Sequence, residues 1–204
     1  TFLQTQNIKV SKINFNAGDA FFYHHDNTYE YTDTLAQFSS WLQAFIAANS
    51  IDAIVCFGDC RPHHTQAACI SEQLGTSFFV FEEGYLRPDY ITLQEYGING
   101  YSRLNTADIK ALKKANDKPL YTHNRFYRLS IAAIVYYIIV WIYKSRYPHY
   151  SHYRGMTAWQ EAIAWLKAPW RKLRGYLPDK QLQNKLTKEQ SNNYFLISLQ
   201  VHND

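Results

Sequence analysis

The sequence predicts an α/β protein with a doubly wound, Rossmann-like parallel sheet, and three observations predict it. Short apolar runs alternate with stretches of helical period over residues 8–81. The connections between them are short. Each of three apolar runs ends in a phenylalanine followed by a polar loop: NAGD, GDCRPHH and EEGYLRPD. In such sheets ligands bind outside the carboxyl ends of the strands, so these loops are where chemistry is expected.

The elements follow in order. Residues 8–15, IKVSKINF, alternate apolar and polar and read as a strand. Residues 16–19 read as a turn, and residues 20–31 as an aromatic and polar loop containing His24 and His25. Over 32–50, Leu35, Phe38, Trp41, Leu42, Phe45 and Ile46 fall at helical spacing, with Thr32 or Asp33 as cap. The run 53–57 has the composition of a buried central strand. Pro62 suits the first turn of a helix that Gly75 ends. Residues 77–81 form the next strand. Residues 90–104, with Gly97 and Gly100, read as a structured loop, and 105–124 as polar with one short helical stretch.

The character changes after residue 125. Residues 129–143, LSIAAIVYYIIVWIY, are almost wholly apolar, with Arg125 and Arg128 before and Lys144 and Arg146 after. A spanning helix needs roughly 20 apolar residues, so a buried core helix, a span extended by its flanks and a helix lodged in one leaflet all fit. In the next helix Trp159, Ile163, Leu166, Trp170 and Leu173 form one stripe. Gln160, Glu161, Lys167, Arg171, Lys172 and Arg174 project elsewhere. Tryptophan on one face with Arg and Lys on the other is the composition of a membrane-surface helix, and Trp159, Trp170, Arg171 and Lys172 are its candidate membrane-facing residues. Pro169 is expected to kink or interrupt it. A helix packed on its own domain with a solvated basic side is the plainer alternative. Residues 177–193 read as a linker and 194–201 as a strand whose partners lie beyond the last residue. The expected domains are 1–124, a sheet domain lacking its first strand; 125–176, an apolar and basic arm; and 177–204, a linker with the first strand of a second domain. The chain is therefore expected to be a piece of a longer protein.

Charge supports that division. The net charge is +4, yet residues 125–174 hold nine Lys or Arg against the single acid Glu161, so the rest is slightly acidic. A basic segment on such a body suits an anionic partner: phosphate, lipid headgroups or, without any recognisable module, nucleic acid. Apolar residues make up 47 % of the chain, enough for a core, and aromatic residues 17 %, a high share that suits interfaces as well as cores. Three cysteines without a CxxC pair favour a reducing compartment.

Among chemical groups, there is no glycine-rich phosphate loop and no GxSxG elbow. The histidine pairs at 24–25 and 63–64 lack the spacing for shared zinc ligation, so no metal or other cofactor is expected. The strand-end acids Asp19, Asp59, Glu82 and Glu83, with Arg61 and Arg87, carry the better hypothesis. Carboxylates serve as nucleophile or base in glycosyl chemistry, and arginines grip a carboxylate or phosphate bidentately. A site of both signs suits transfer of an acidic sugar.

The segments FGDCRPHH and VFEEGYLRPDYITLQEYGINGYS, with KINFNAGD, HYRG at 152–155 and the terminal LQVHND, carry a resemblance. The chain resembles the bacterial capsule polysaccharide synthesis and export family, in its KpsS/LipB-type β-Kdo transferase branch. The resemblance implies two facing Rossmann-like domains (GT-B-like), CMP-Kdo as donor and a phosphatidylglycerol-type lipid as acceptor. It implies a peripheral protein at the cytoplasmic face of the bacterial inner membrane, working with other capsule assembly proteins. A retaining route through a carboxylate is implied, with Glu83 as nucleophile or base where related transferases carry Asp. Asp59 and Glu82 are the supporting acids. Arg61, Arg87, Asp19 and His63 are the substrate-binding candidates. The family's first strand and its C-terminal domain are not in this chain, so the chain by itself is expected to be inactive. A non-catalytic peripheral-membrane component of the same machinery is the alternative.

Overall fold

The computed structural model describes residues 2–23, 25–84, 90–105, 107, 110, 126–152, 155, 158–190 and 193. They belong to two compact units, Thr1–Tyr150 and Ser151–Asp204. Arg87, His24 and the strand expected at 194–201 lie outside the described residues.

The first unit is α/β. After a short helix α1 (Phe2–Thr5), strands β1 (Lys12–Asn14) and β2 (Thr28–Glu30) pair in parallel. Strands β3 (Ala53–Phe57) and β4 (Ser77–Glu83) also pair in parallel, and β5 (Ile91–Glu95) returns antiparallel along β4. The described strands thus make one two-stranded and one mixed three-stranded sheet, where a single parallel sheet was expected. Residues 91–95 had read as a loop because glycines follow them. Their alternation of Ile91 and Leu93 with Thr92 and Gln94 is a strand's period of two. The return is closed by Gly84, whose N–H donates to Tyr90 O at 2.8 Å, and a Cβ at Gly84 would lie 2.7 Å from that same oxygen.

The expected loop at 20–31 contains the end of helix α2 (Ala17–Phe22) and all of β2. Asn16 starts α2: its side chain accepts from Asp19 N at 3.0 Å, filling an otherwise orphaned helix donor. Helix α3 (Leu35–Asn49) is capped by Thr34, one residue after Asp33 and two after Thr32, the expected caps. Gln37 Oε1 accepts there from the Thr34 N–H at 3.3 Å and hydroxyl at 2.9 Å. Helix α4 (Pro62–Leu74) starts at its proline and stops at Gly75, φ +68°, as its sequence predicts.

Helices α3 and α4 pack together over one face of the β3–β4–β5 sheet. Phe38, Leu42, Ile46, Ala67, Ile70, Phe78, Val80 and Ile98 form the core there with Tyr31. The strand at 53–57 was expected to be buried throughout, but it alternates. Val55 and Phe57 share the other face with Ile91 and Leu93, and all four are largely exposed.

Helix α5 (Phe126–Ile142) covers part of the apolar run and packs on α2. None of its described side chains is fully buried. Gly18 allows the contact, because a Cβ there would sit 2.5 Å from the Tyr136 ring. Phe22 stacks on the same ring. Beyond α5, Arg146 grips Glu30 at the end of β2 through Nη2 and Nε, at 2.9 and 3.2 Å.

The second unit carries helix α6 (Ala158–Asn184), which runs on through Pro169 and Pro178 into a π-helical turn at Lys185–Glu189. The expected interruption at Pro169 does not occur, and residues 177–184 continue the helix. A proline removes one donor from the ladder, and the turns on either side carry the helix past that gap. Among the described residues no helix is long and apolar enough to cross a membrane.

Candidate functional site at the strand ends

The carboxyl ends of β3 and β4 lie side by side, with Phe57 opposite Phe81 in the register. The loop after β3 therefore meets the end of β4. Asp59 is half-buried, and its Oδ2 accepts from the Ile98 N–H at 2.9 Å, while Cys60 Sγ donates to Oδ1 at 3.3 Å. One residue further, Asn99 Nδ2 donates to Glu82 Oε2 at 2.8 Å. Asn99 adopts φ +51°, in the left-handed region that asparagine tolerates better than most residues. Ile98 beside it is 1 % exposed, so the loop that orients both acids is anchored in the core. Glu83, at the last position of β4, is exposed.

Arg61 is the N-cap of α4 and exposed. Its charge lowers the pKa of Cys56, His64 and Tyr150, in each case less than burial shifts it. His64 donates from Nδ1 to the Gly58 carbonyl at 2.8 Å, because a carbonyl can only accept. Burial first, then Arg61 and His63, lower its pKa to about 4, so it is neutral at ordinary pH. His63 packs its ring against Phe15 at 4.5 Å and Phe38 at 4.9 Å, and burial lowers its pKa too. That ring packing is what the structure shows of a residue expected to bind substrate. Burial raises the Cys60 thiol, with Asp59 adding to the effect, and pushes Cys56 to about 12. Both therefore stay protonated.

Asp19 belongs to a second cluster that the sequence did not reveal. Its Oδ2 accepts from the Phe15 N–H at 3.2 Å and Asn16 Nδ2 at 3.1 Å, and its Oδ1 from the Tyr136 hydroxyl at 3.1 Å. Asn16 Nδ2 also donates to the Tyr136 hydroxyl oxygen at 2.7 Å. Tyr150, largely buried, feels the same Asp19 charge. Burial and the Asp19 charge raise both phenols, Tyr136 well above the usual tyrosine range. Lys12 reaches the Asp19 carbonyl at 3.3 Å, and burial lowers its pKa. Tyr136 was hidden inside an apolar run. The signal that could have found it is a tyrosine pair at the centre of an otherwise aliphatic helix. The Asn-x-x-Asp spacing at 16–19 is an N-cap signal in its own right.

In the second unit Trp159, Trp170, Arg171 and Lys172 are all exposed on α6, as are Leu166 and Leu173. Among the described residues no three His, Cys, Asp or Glu side chains gather as a metal set would.

Fold and site together define an α/β protein whose acids, one arginine and paired phenols collect at strand ends. The family described as capsule polysaccharide biosynthesis protein matches residues 52–204, and the chain belongs to that family. It is 36 % identical over 195 residues to the capsule polysaccharide export protein KpsS of Escherichia coli, covering 93 % of this chain and 50 % of that one. It is also 36 % identical over 204 residues to the capsule polysaccharide modification protein LipB of Neisseria meningitidis serogroup B, covering 96 % and 49 %. The serogroup A LipB gives the same figures. The chain spans about half the length of the curated relatives it matches. No solved structure matches it.

Proposed function

We propose that the protein is a retaining glycosyltransferase that moves Kdo from CMP-Kdo to a phosphatidylglycerol-type lipid, starting the linker on which a capsule chain is built. In this reading residues 1–124 are the acceptor-side, Rossmann-like half of a GT-B-like enzyme. Residues 125–176 are its membrane arm, and the donor half lies in the remainder of a longer protein. It works as a peripheral protein at the cytoplasmic face of the bacterial inner membrane, alongside other capsule assembly proteins, and needs no metal.

The observation that carries the reading is the Ile98–Asn99 loop, which orients Asp59 and Glu82 at once on adjacent strand ends. A double displacement at an anomeric carbon uses two carboxyl groups, one as nucleophile and one as acid and base, and Asp59 and Glu82 held this way, with the exposed Glu83 next to Glu82 on β4, supply candidates for both roles. Glu83 attacks that carbon as the bond to the CMP phosphate breaks, and CMP leaves with the electron pair. The acceptor hydroxyl oxygen then displaces Glu83, its proton passing to a carboxylate, and two inversions preserve configuration. Asp59 and Glu82 support the charge changes. Arg61 and Arg87 hold the Kdo carboxylate or donor phosphate, with Asp19 and His63 bordering the acceptor. The names of the relatives, one an export and one a modification protein, fit a place in capsule assembly.

The test is a transfer assay with the full-length protein, CMP-Kdo and a fluorescent lyso-phosphatidylglycerol. A slower-migrating lipid is the expected product. Glu83→Gln should lower its formation roughly 10²-fold or more without changing the circular dichroism spectrum. Retained activity removes Glu83 from the mechanism. No product at all favours the second reading, a non-catalytic peripheral component, which the word export in one relative's name and the exposed apolar faces of α5 and α6 support.

A further inference from the structure

Helix α5 has two faces of different character. One carries Tyr136, whose hydroxyl is fixed between Asn16 and Asp19. The other carries Tyr127, Ile131, Ile134, Ile138 and Trp141, at alternating spacings of four and three, which keeps them in a single line. These five are 82, 63, 55, 50 and 70 % exposed. No acid occurs anywhere in the helix. Arg128 lies exposed near one end of the line, and Lys144 just past the other. On α2 the rings of Phe21 and Phe22 are exposed as well.

We propose that α5 lies in the plane of an anionic bilayer surface, with this line of side chains among the acyl chains and Arg128 and Lys144 at the headgroups. The inference rests on the membrane reading above and adds the surface, the orientation and the lipid charge. Three features favour lipid over a protein partner. The line joins aliphatic side chains with the amphipathic rings of Tyr127 and Trp141, a composition suited to the boundary between headgroups and acyl chains. Cations and no carboxylates flank it, which suits anionic headgroups. The helix is 17 residues, about 25 Å, and Tyr136 and the nearby Arg146–Glu30 pair hold it lengthwise against the body, so it meets a surface along its side. The same helix thereby touches lipid on one side and Asp19 on the other.

The test uses the full chain and vesicles of phosphatidylcholine with or without phosphatidylglycerol, read by co-sedimentation. Tryptophan quenching by bromine-labelled acyl chains reports depth. The expected result is binding to the anionic vesicles and quenching that falls in Trp141→Phe. Ile134→Glu with Ile138→Glu should weaken binding on the order of tenfold or more at unchanged helicity. Trp170→Ser on α6 is the comparison. If the double variant binds as tightly as the parent while Trp170→Ser releases the protein, the inference falls and the membrane reading stands. If the parent binds neither vesicle, both fall. If the double variant instead abolishes self-association of a chain that ignores vesicles, the line is an interface between copies and the inference is overturned.

Discussion

At the scale of single residues, burial is the leading cause of the shifts at His63, His64, Cys56, Cys60 and Tyr136. His64 is the sharpest case, because its ring is kept neutral while it donates to Gly58 O. Its folded pKa, about 4, lies below the ordinary imidazole value of 6.5. Between those two values the unfolded chain takes up a proton that the folded one refuses. Stability is therefore fully present above pH ~6.5 and is lost as pH falls toward ~4, by on the order of 3 kcal/mol. Urea titrations from pH 7 to 4 should show that decline, and His64→Gln should flatten it. A His64→Gln protein with the same acid-side loss would assign the effect elsewhere. At this scale the sequence was informative about residue types and silent about partners. Asp19, Asp59 and Glu82 stand out as strand-end acids, yet nothing in their spacing says that Tyr136, Ile98 and Asn99 hold them, because those contacts join residues 117, 39 and 17 apart.

Among elements, legibility followed length. Helices α3 and α4 each bury three positions at helical spacing and were plain, and Pro62 and Gly75 marked the ends of α4. Strand β1 lies inside the alternating run 8–15 that reads as a strand, whereas β2, three residues long, is too short to show a period and reads as loop. Helix α2 was missed because a six-residue helix containing Gly18 looks like a turn. That glycine is the position where an element-level prediction bites. Gly18→Ala puts a methyl 2.5 Å from the Tyr136 ring, and either α5 shifts or the ring leaves Asn16 and Asp19. The expected cost is about 1–3 kcal/mol, typical of overpacking. A denaturant midpoint unchanged from the parent would show that α5 does not bear on α2 in solution.

Over the whole molecule, burial is one-sided. The β3–β4–β5 sheet packs α3 and α4 against Phe78 and Val80 and leaves Val55, Phe57, Ile91 and Leu93 open. Phe78→Ala should therefore cost about 3–5 kcal/mol, as for a core aromatic. Phe57→Ala, at a ring 46 % exposed, should cost well under half of that. Equal losses, measured by unfolding the chain, would mean that something covers the open face. The α/β class was readable because apolar runs alternate with helical stretches. The division into two sheets was not, because strand order depends on pairings that composition does not encode. The continuity of α6 through two prolines was likewise unreadable, since each proline locally argues for a break.

The flat contact between Gly18 and Tyr136 ties two distant positions into one unit of variation. A chain that acquires any side chain at 18 must trade the phenol at 136 for something smaller, and with the ring goes the hydroxyl that steadies Asp19. Drift at a plain glycine would thus be felt at a carboxylate one residue away, by way of a helix more than a hundred residues downstream.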